Sequence, residues 1–179
     1  TITNDDAGPT VTAVADVSAA EGADLAFAVT LSGSAEIATT QSIALADVTT
    51  SSGDYGTRSY SDGVTESPAG TLNIPANVSS FTVTVAGAQD ALLEDDETFT
   101  VTVGGTQSGT GTITNDDAAP SFSIGDASIT EGGQVSFTVT RTGDAQASQT
   151  VNVATSIGGG DTAAVGDFTA TGPTTLTFA

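Results

Sequence analysis

An all-β chain of tandem immunoglobulin-like antiparallel β-sandwiches is the fold this sequence predicts, and three observations predict it. Apolar residues alternate with small or polar ones at a period of two. Turn signals cut the chain into short runs. The segment Thr1-Ile2-Thr3-Asn4-Asp5-Asp6 returns unchanged as Thr112-Ile113-Thr114-Asn115-Asp116-Asp117, a spacing of 111 residues.

The alternation is clearest at Leu25, Phe27, Val29 and Leu31. It recurs at Phe81, Val83 and Val85, at Phe99, Val101 and Val103, and at Val135, Phe137 and Val139. Period two places one set of side chains on a core face and the other in water, the pattern of half-buried antiparallel strands. Thr is abundant at the outward positions, where its β-branch suits a pleated surface. Ser32-Gly33-Ser34, Ser52-Gly53-Asp54, Asp62-Gly63, Gly104-Gly105 and Gly132-Gly133 punctuate the runs as turns. No helical stripe of useful length interrupts them. Roughly seven short strands per repeat describe an immunoglobulin-type sandwich. The Cys-Trp-Cys signature of true immunoglobulin domains is missing, so the prediction concerns architecture alone.

Further landmarks keep the repeat spacing: Glu21-Gly22 with Glu131-Gly132, Pro9 with Pro120, Gly53-Asp54-Tyr55 with Gly166-Asp167-Phe168. Self-similarity at domain length predicts a tandem array. Residues 1–6 read as the terminal strand of a preceding repeat. Residues 7–117 read as one complete repeat, and 118–179 as the N-terminal part of a second. About 110 residues is an ordinary size for a domain with its own core.

Composition narrows the function. The chain carries 22 acidic residues against two arginines, with no Lys and no His, for a formal charge of -20. Non-specific nucleic-acid binding needs a basic surface, and docking on anionic lipid needs the same. The charge points instead to bound cations or a saline habitat. No apolar run is long enough to insert as a transmembrane helix. With neither Cys nor His, a nucleophile–His pair is impossible. Paired carboxylates can hydrolyse glycosides, but seven Phe, two Tyr and no Trp leave little for a sugar-stacking cleft. The expectation is a protein that is not an enzyme. Cys-free domains in an extracellular setting rely on core and ions, not disulfides.

The acids are clustered. Glu21 follows an early strand, Asp54 sits in a Gly-Asp-Tyr turn, Asp90 and Glu94 precede the Phe99 strand, and Asp116 and Asp117 close the last one. Alternate loops of a sandwich gather at one end. Carboxylates converging there suit Ca²⁺, which takes six to eight oxygens at about 2.3–2.6 Å. Asp95, Asp96 and Glu97 read as a solvated acidic face. No EF-hand loop is present, and Gly158-Gly159-Gly160-Asp161 does not keep the calcium β-roll spacing.

Glu-Gly, Gly-Asp-Tyr, Asp-x-x-x-Glu-Asp-Asp-Glu-Thr-Phe and Gly-Thr-Ile-Thr-Asn-Asp-Asp, taken together, resemble the Calx-β domain, over all of 7–117 and the opening half of the pattern in 118–179. That family is known from the calcium-sensing region of sodium–calcium exchangers and from large bacterial surface and adhesin proteins. The resemblance implies Ca²⁺ ligands at Glu21, Asp54, Asp90, Glu94, Asp116 and Asp117, with Glu131 and Asp167 matching in the second repeat. Asn115 stands where the exchanger version has a further Asp, which implies fewer ions or weaker binding. The function expected is a calcium-binding repeat forming a stiff extender of a secreted or cell-surface protein. The alternatives are a protein- or glycan-binding module and a salt-adapted repeat without specific sites. Expected partners are neighbouring repeats, with head-to-tail strand exchange between copies through Thr1–Asp6.

Overall fold

The structure, a computed structural model, describes residues 7–51, 53–68, 70–160, 162–164 and 166–179. It is all-β, and its described residues fall into two compact units. The first runs up to Asp90 and resumes over Asp95–Asp116; the second comprises Ala91–Glu94 and Asp117–Ala179.

The first unit is a β-sandwich. Its strands are β1 (Val11–Val14), β2 (Val17–Ala20), β3 (Leu25–Leu31), β4 (Thr39–Asp47), β5 (Tyr55–Tyr60), β6 (Thr65–Ser67), β7 (Thr71–Ile74) and β8 (Ser80–Gly87). After β9 (Leu92–Leu93), which is counted with the second unit, come β10 (Glu97–Val103) and β11 (Gln107–Thr114). One sheet has the order β1-β3-β8-β5, the other β2-β11-β10-β4-β7-β6. The ladders are antiparallel except where β11 runs parallel to β2, with Ile113 opposite Ala19.

The predicted alternation decides which faces meet. Leu25, Phe27 and Val29 of β3, Val83 and Val85 of β8, and Phe99, Val101 and Val103 of β10 are fully buried. Ile43, Leu72 and Ile74 join them in one core. Phe27 and Phe99 meet edge to face across the sheets, with centroids 5.8 Å apart. Burying a side chain of this size contributes about 1.5–3 kcal/mol, so the row of rings and branched chains is the main stabilising term.

At the sheet edges a polar cluster ties β5 to β6. Arg58 Nη2 donates to Glu66 Oε1 at 2.8 Å, the Gly70 amide donates to the same oxygen at 2.8 Å, and the Tyr60 hydroxyl donates to Oε2. The Tyr60 hydrogen bond, helped by Gly70 and Arg58 and opposed by burial, holds the Glu66 carboxyl below its usual range. A depressed carboxylate stabilises the fold above its unfolded value of about 4.3 and loses that contribution as pH falls through the lower folded value. Glu66→Gln is therefore expected to cost about 1 kcal/mol at pH 7 and progressively less as pH falls through the depressed folded value, read from urea midpoints of both proteins at each pH.

The second unit contains β9, β12 (Ser121–Ile124), β13 (Val139–Thr142), β14 (Asp144–Ala145), β15 (Gln149–Val153) and β16 (Thr174–Phe178). They pair as β12-β13, β14-β9 and β15-β16. Here one expectation fails in part. Val135 and Phe137 carry the alternation of a strand, yet the strand begins only at Val139. In the first unit β3 is held by β1 on one side and β8 on the other. In the second, among the described residues, β13 has only β12. A run with no ladder on its other side gains too little to offset the entropy of ordering it.

Candidate metal centre

Register brings four loops of the first unit to one end. Leu25 pairs with Val85, so the Glu21 turn before β3 faces the chain leaving β8 toward Asp90. Tyr55 pairs with Gly87, which draws in the Asp54 turn. The parallel β2–β11 ladder ends with Thr114 opposite Ala20, and just beyond it Asp116 accepts from Gln89 in the chain leaving β8. Backbone bonds fasten the loops: Gly22 N donates to Ala88 O at 2.8 Å, Ala88 N to Asp54 O at 2.9 Å, and Glu21 N to Thr114 O at 3.1 Å. Gly22 turns the chain with φ of 71°, a left-handed conformation that a side chain would strain, so Glu needs Gly after it at this corner.

Two carboxylate pairs result within this unit. Glu21 and Asp90 offer oxygens within 4.8 Å of one another, as do Asp54 and Glu97. One Glu21 oxygen, Oε2, is inaccessible to solvent. Asp54 is held in its turn by Ser51, whose amide and hydroxyl both donate to it. The next residue anchors the turn to the core: the Tyr55 ring stacks on Phe99 at 4.3 Å and its hydroxyl donates to Asp47 at 2.5 Å. Burial first, then the Asp47 bond, pushes the Tyr55 phenol up to about 12, so it remains a neutral donor.

The remaining positions lie as follows. Asp116 is exposed and accepts from Gln89 Nε2 at 3.1 Å. Asp117 opens the second unit and Glu94 closes its short first segment, where Glu94 accepts from Gln146 at 3.0 Å. Glu131 and Asp167 are exposed, and Asp167 accepts from the Ala164 amide at 2.7 Å. Two residues assigned to a solvated face take other places. Glu97 opens β10 and faces Asp54, while Asp96 accepts from the Asn115 amide at 3.1 Å and fixes the start of the terminal acidic run.

Two carboxylates about 4 Å apart repel by about 1 kcal/mol in bulk water and about 4 kcal/mol near a protein surface. Arg58 is the first unit's one basic side chain, and it is bonded to Glu66 at the edge cluster. The acidic end therefore has no basic side chain of its own unit to offset it. Carboxylate oxygens with nearby backbone carbonyls form the hard donor set that a divalent cation such as Ca²⁺ takes.

An all-β sandwich with carboxylates from four loops at one end defines the class of architecture. No protein-family model and no curated protein matches the chain. Among solved structures it is similar to CBD12 from CALX1.2, at 18% identity and TM-score 0.46, over 68% of this chain and 52% of that one. It is also similar to the calcium binding domain CBD12 of CALX1.1, at 20% identity and TM-score 0.45, over 90% and 66%. The chain thus spans about half to two thirds of the length of these structures.

Proposed function

We propose that this chain is a non-catalytic calcium-binding repeat, a stiff extender segment of a secreted or cell-surface protein whose partners are neighbouring repeats. The observation that carries the calcium reading is the meeting of Glu21 with Asp90, and of Asp54 with Glu97, at the end where four loops are stitched together. The repeated Thr-Ile-Thr-Asn-Asp-Asp supports the extender role, because each copy would end a domain in carboxylates beside the next. One of the two similar solved structures, CBD12 of CALX1.1, is a calcium binding domain, which agrees with this reading without adding to it.

A cation that binds only the folded state adds about 2.7 kcal/mol at a hundredfold excess over Kd, and extracellular modules bind Ca²⁺ at about 10⁻⁴–10⁻³ M. The melting temperature is expected to rise by several degrees in millimolar Ca²⁺ relative to EDTA at equal ionic strength. Asp90→Asn with Asp116→Asn should remove that rise. Glu36→Gln with Asp62→Asn, which neutralises as much charge in loops at the other end of the unit, should leave it. If both pairs act alike, the acidity is diffuse and the salt-adapted reading replaces this one.

A further inference from the structure

One neutral side chain stands among the acids of the first unit. Gln89 follows β8, and the chain just before it is fixed on both sides: Ala88 O accepts from Gly22 N at 2.8 Å and Ala88 N donates to Asp54 O at 2.9 Å. The Gln89 side chain is exposed, yet its amide is engaged. Nε2 donates to Asp116 Oδ1 at 3.1 Å and to the Asp90 carbonyl oxygen at 3.1 Å. Oε1 lies over Gly22, where a Cβ would stand 2.7 Å from that oxygen and 3.0 Å from Gln89 Cβ. Gly22 therefore serves twice, once through its positive φ and once through the room it leaves for this amide.

A carboxamide carries two N–H donors and one acceptor oxygen on one planar group, and no charge. Without an ion, donors are what the acidic end needs, because they gather oxygens that otherwise repel. With an ion the need reverses. Asp116 and the Asp90 carbonyl are hard oxygens of the kind Ca²⁺ takes, and N–H groups aimed at them turn their positive ends toward it. Oε1 is itself a hard oxygen. We propose that the Gln89 amide is a two-position switch: in the ion-free protein Nε2 ties Asp116 to the chain leaving β8, and on calcium binding the amide turns over so that Oε1 meets the ion. Turning over exchanges two atoms of similar size in a side chain that faces solvent, so neither sheet has to move. The switch presupposes calcium at this end. It adds a residue outside the carboxylates that sets how tightly the ion binds, because the ion takes the place of the Asp116 and Asp90 bonds.

Melting in EDTA and calcium titration of the 179-residue chain test this, with Gln89→Glu as the main variant. Glutamate keeps the shape but offers only acceptors, so it cannot tie Asp116. In EDTA the variant should melt several degrees below the parent. Its calcium midpoint should fall about tenfold, because the tie is gone and a charged ligand has been added. Thr106→Glu adds the same charge at the exposed turn between β10 and β11, at the other end of the unit, and should move neither reading. Gln89→Lys places an ammonium among the acids; it should melt above the parent in EDTA and lose the response to calcium. A third reading follows the amide itself. The Gln89 side-chain NH₂ resonances, identified by their loss in Gln89→Glu, should exchange with water more slowly in EDTA than in calcium. If the parent responds to calcium while Gln89→Glu matches it in both readings, or while the NH₂ exchange stays the same, the switch is overturned and the calcium reading stands. If the parent itself ignores calcium, the calcium reading falls and the switch falls with it.

Discussion

Phe99→Ala is expected to cost the first unit about 4 kcal/mol, a large part of the 5–15 kcal/mol that holds an ordinary domain together. Phe99 is fully buried and stands between two rings, edge to face with Phe27 and stacked with Tyr55. Truncation removes both contacts and leaves a void between the two remaining rings. A second loss accompanies the first. Tyr55 rests on Phe99 and is followed back along the chain by Asp54, so the Asp54–Glu97 pair loses its floor. Urea denaturation of the variant should give the stability change. Titration of calcium at a temperature where the variant is still folded should give a weaker midpoint. An unchanged midpoint would separate the Asp54 turn from ion binding.

Adding atoms should do as much damage as removing them. Gly109 and Gly111 lie in β11, where the sheets approach too closely for a side chain. A Cβ on Gly111 would stand 2.7 Å from Phe99 Cε1 and 2.8 Å from Phe27 Cζ. A Cβ on Gly109 would stand 2.4 Å from the Ala15 carbonyl oxygen, a backbone atom that cannot rotate aside. Gly111→Val and Gly109→Ala are each expected to destabilise by about 3 kcal/mol or to prevent folding. Gly33→Ala, with nothing within 4 Å of the new carbon, should fall within about 0.5 kcal/mol of the parent. Thermal melts of the three variants check this; tolerance at Gly111 would mean the rings have room to retreat.

These glycines also explain why part of the fold was readable from residues alone. β3, β8 and β10 were legible because each alternates without a break: all four odd positions of Leu25–Leu31 are buried and its even ones exposed. β1 was not, because a bulge between Val11 and Ala13 shifts its register and spoils the period. β5 hides for a different reason, since Arg58 and Tyr60 point toward a polar edge cluster where no apolar pattern is needed. The acidic turns were legible as residue types, because Glu-Gly and Gly-Asp-Tyr record both a backbone shape and a donor. Glu97 was lost in the run Glu94-Asp95-Asp96-Glu97, where four acids in a row give no sign of which one the following ladder will turn inward. Its pairing with Ile113 decides the matter, and that is a long-range fact. Val135 and Phe137 carry a strand's pattern without a strand's partner, and pattern alone does not supply one.

The parallel ladder between β2 and β11 has a mechanical consequence. The chain enters the first unit at one end and leaves at the other, and these two strands, near its beginning and its close, run side by side in the same direction. Tension applied at the two termini therefore slides β2 and β11 past each other along their length. The bonds between Val17–Ala20 and Gly111–Thr114 are loaded together in shear, where a hairpin pulled at its open end would release them one at a time. Rupture under such a load demands that the whole short ladder fail at once, so the domain resists stretching along the line of the chain far better than its modest size suggests.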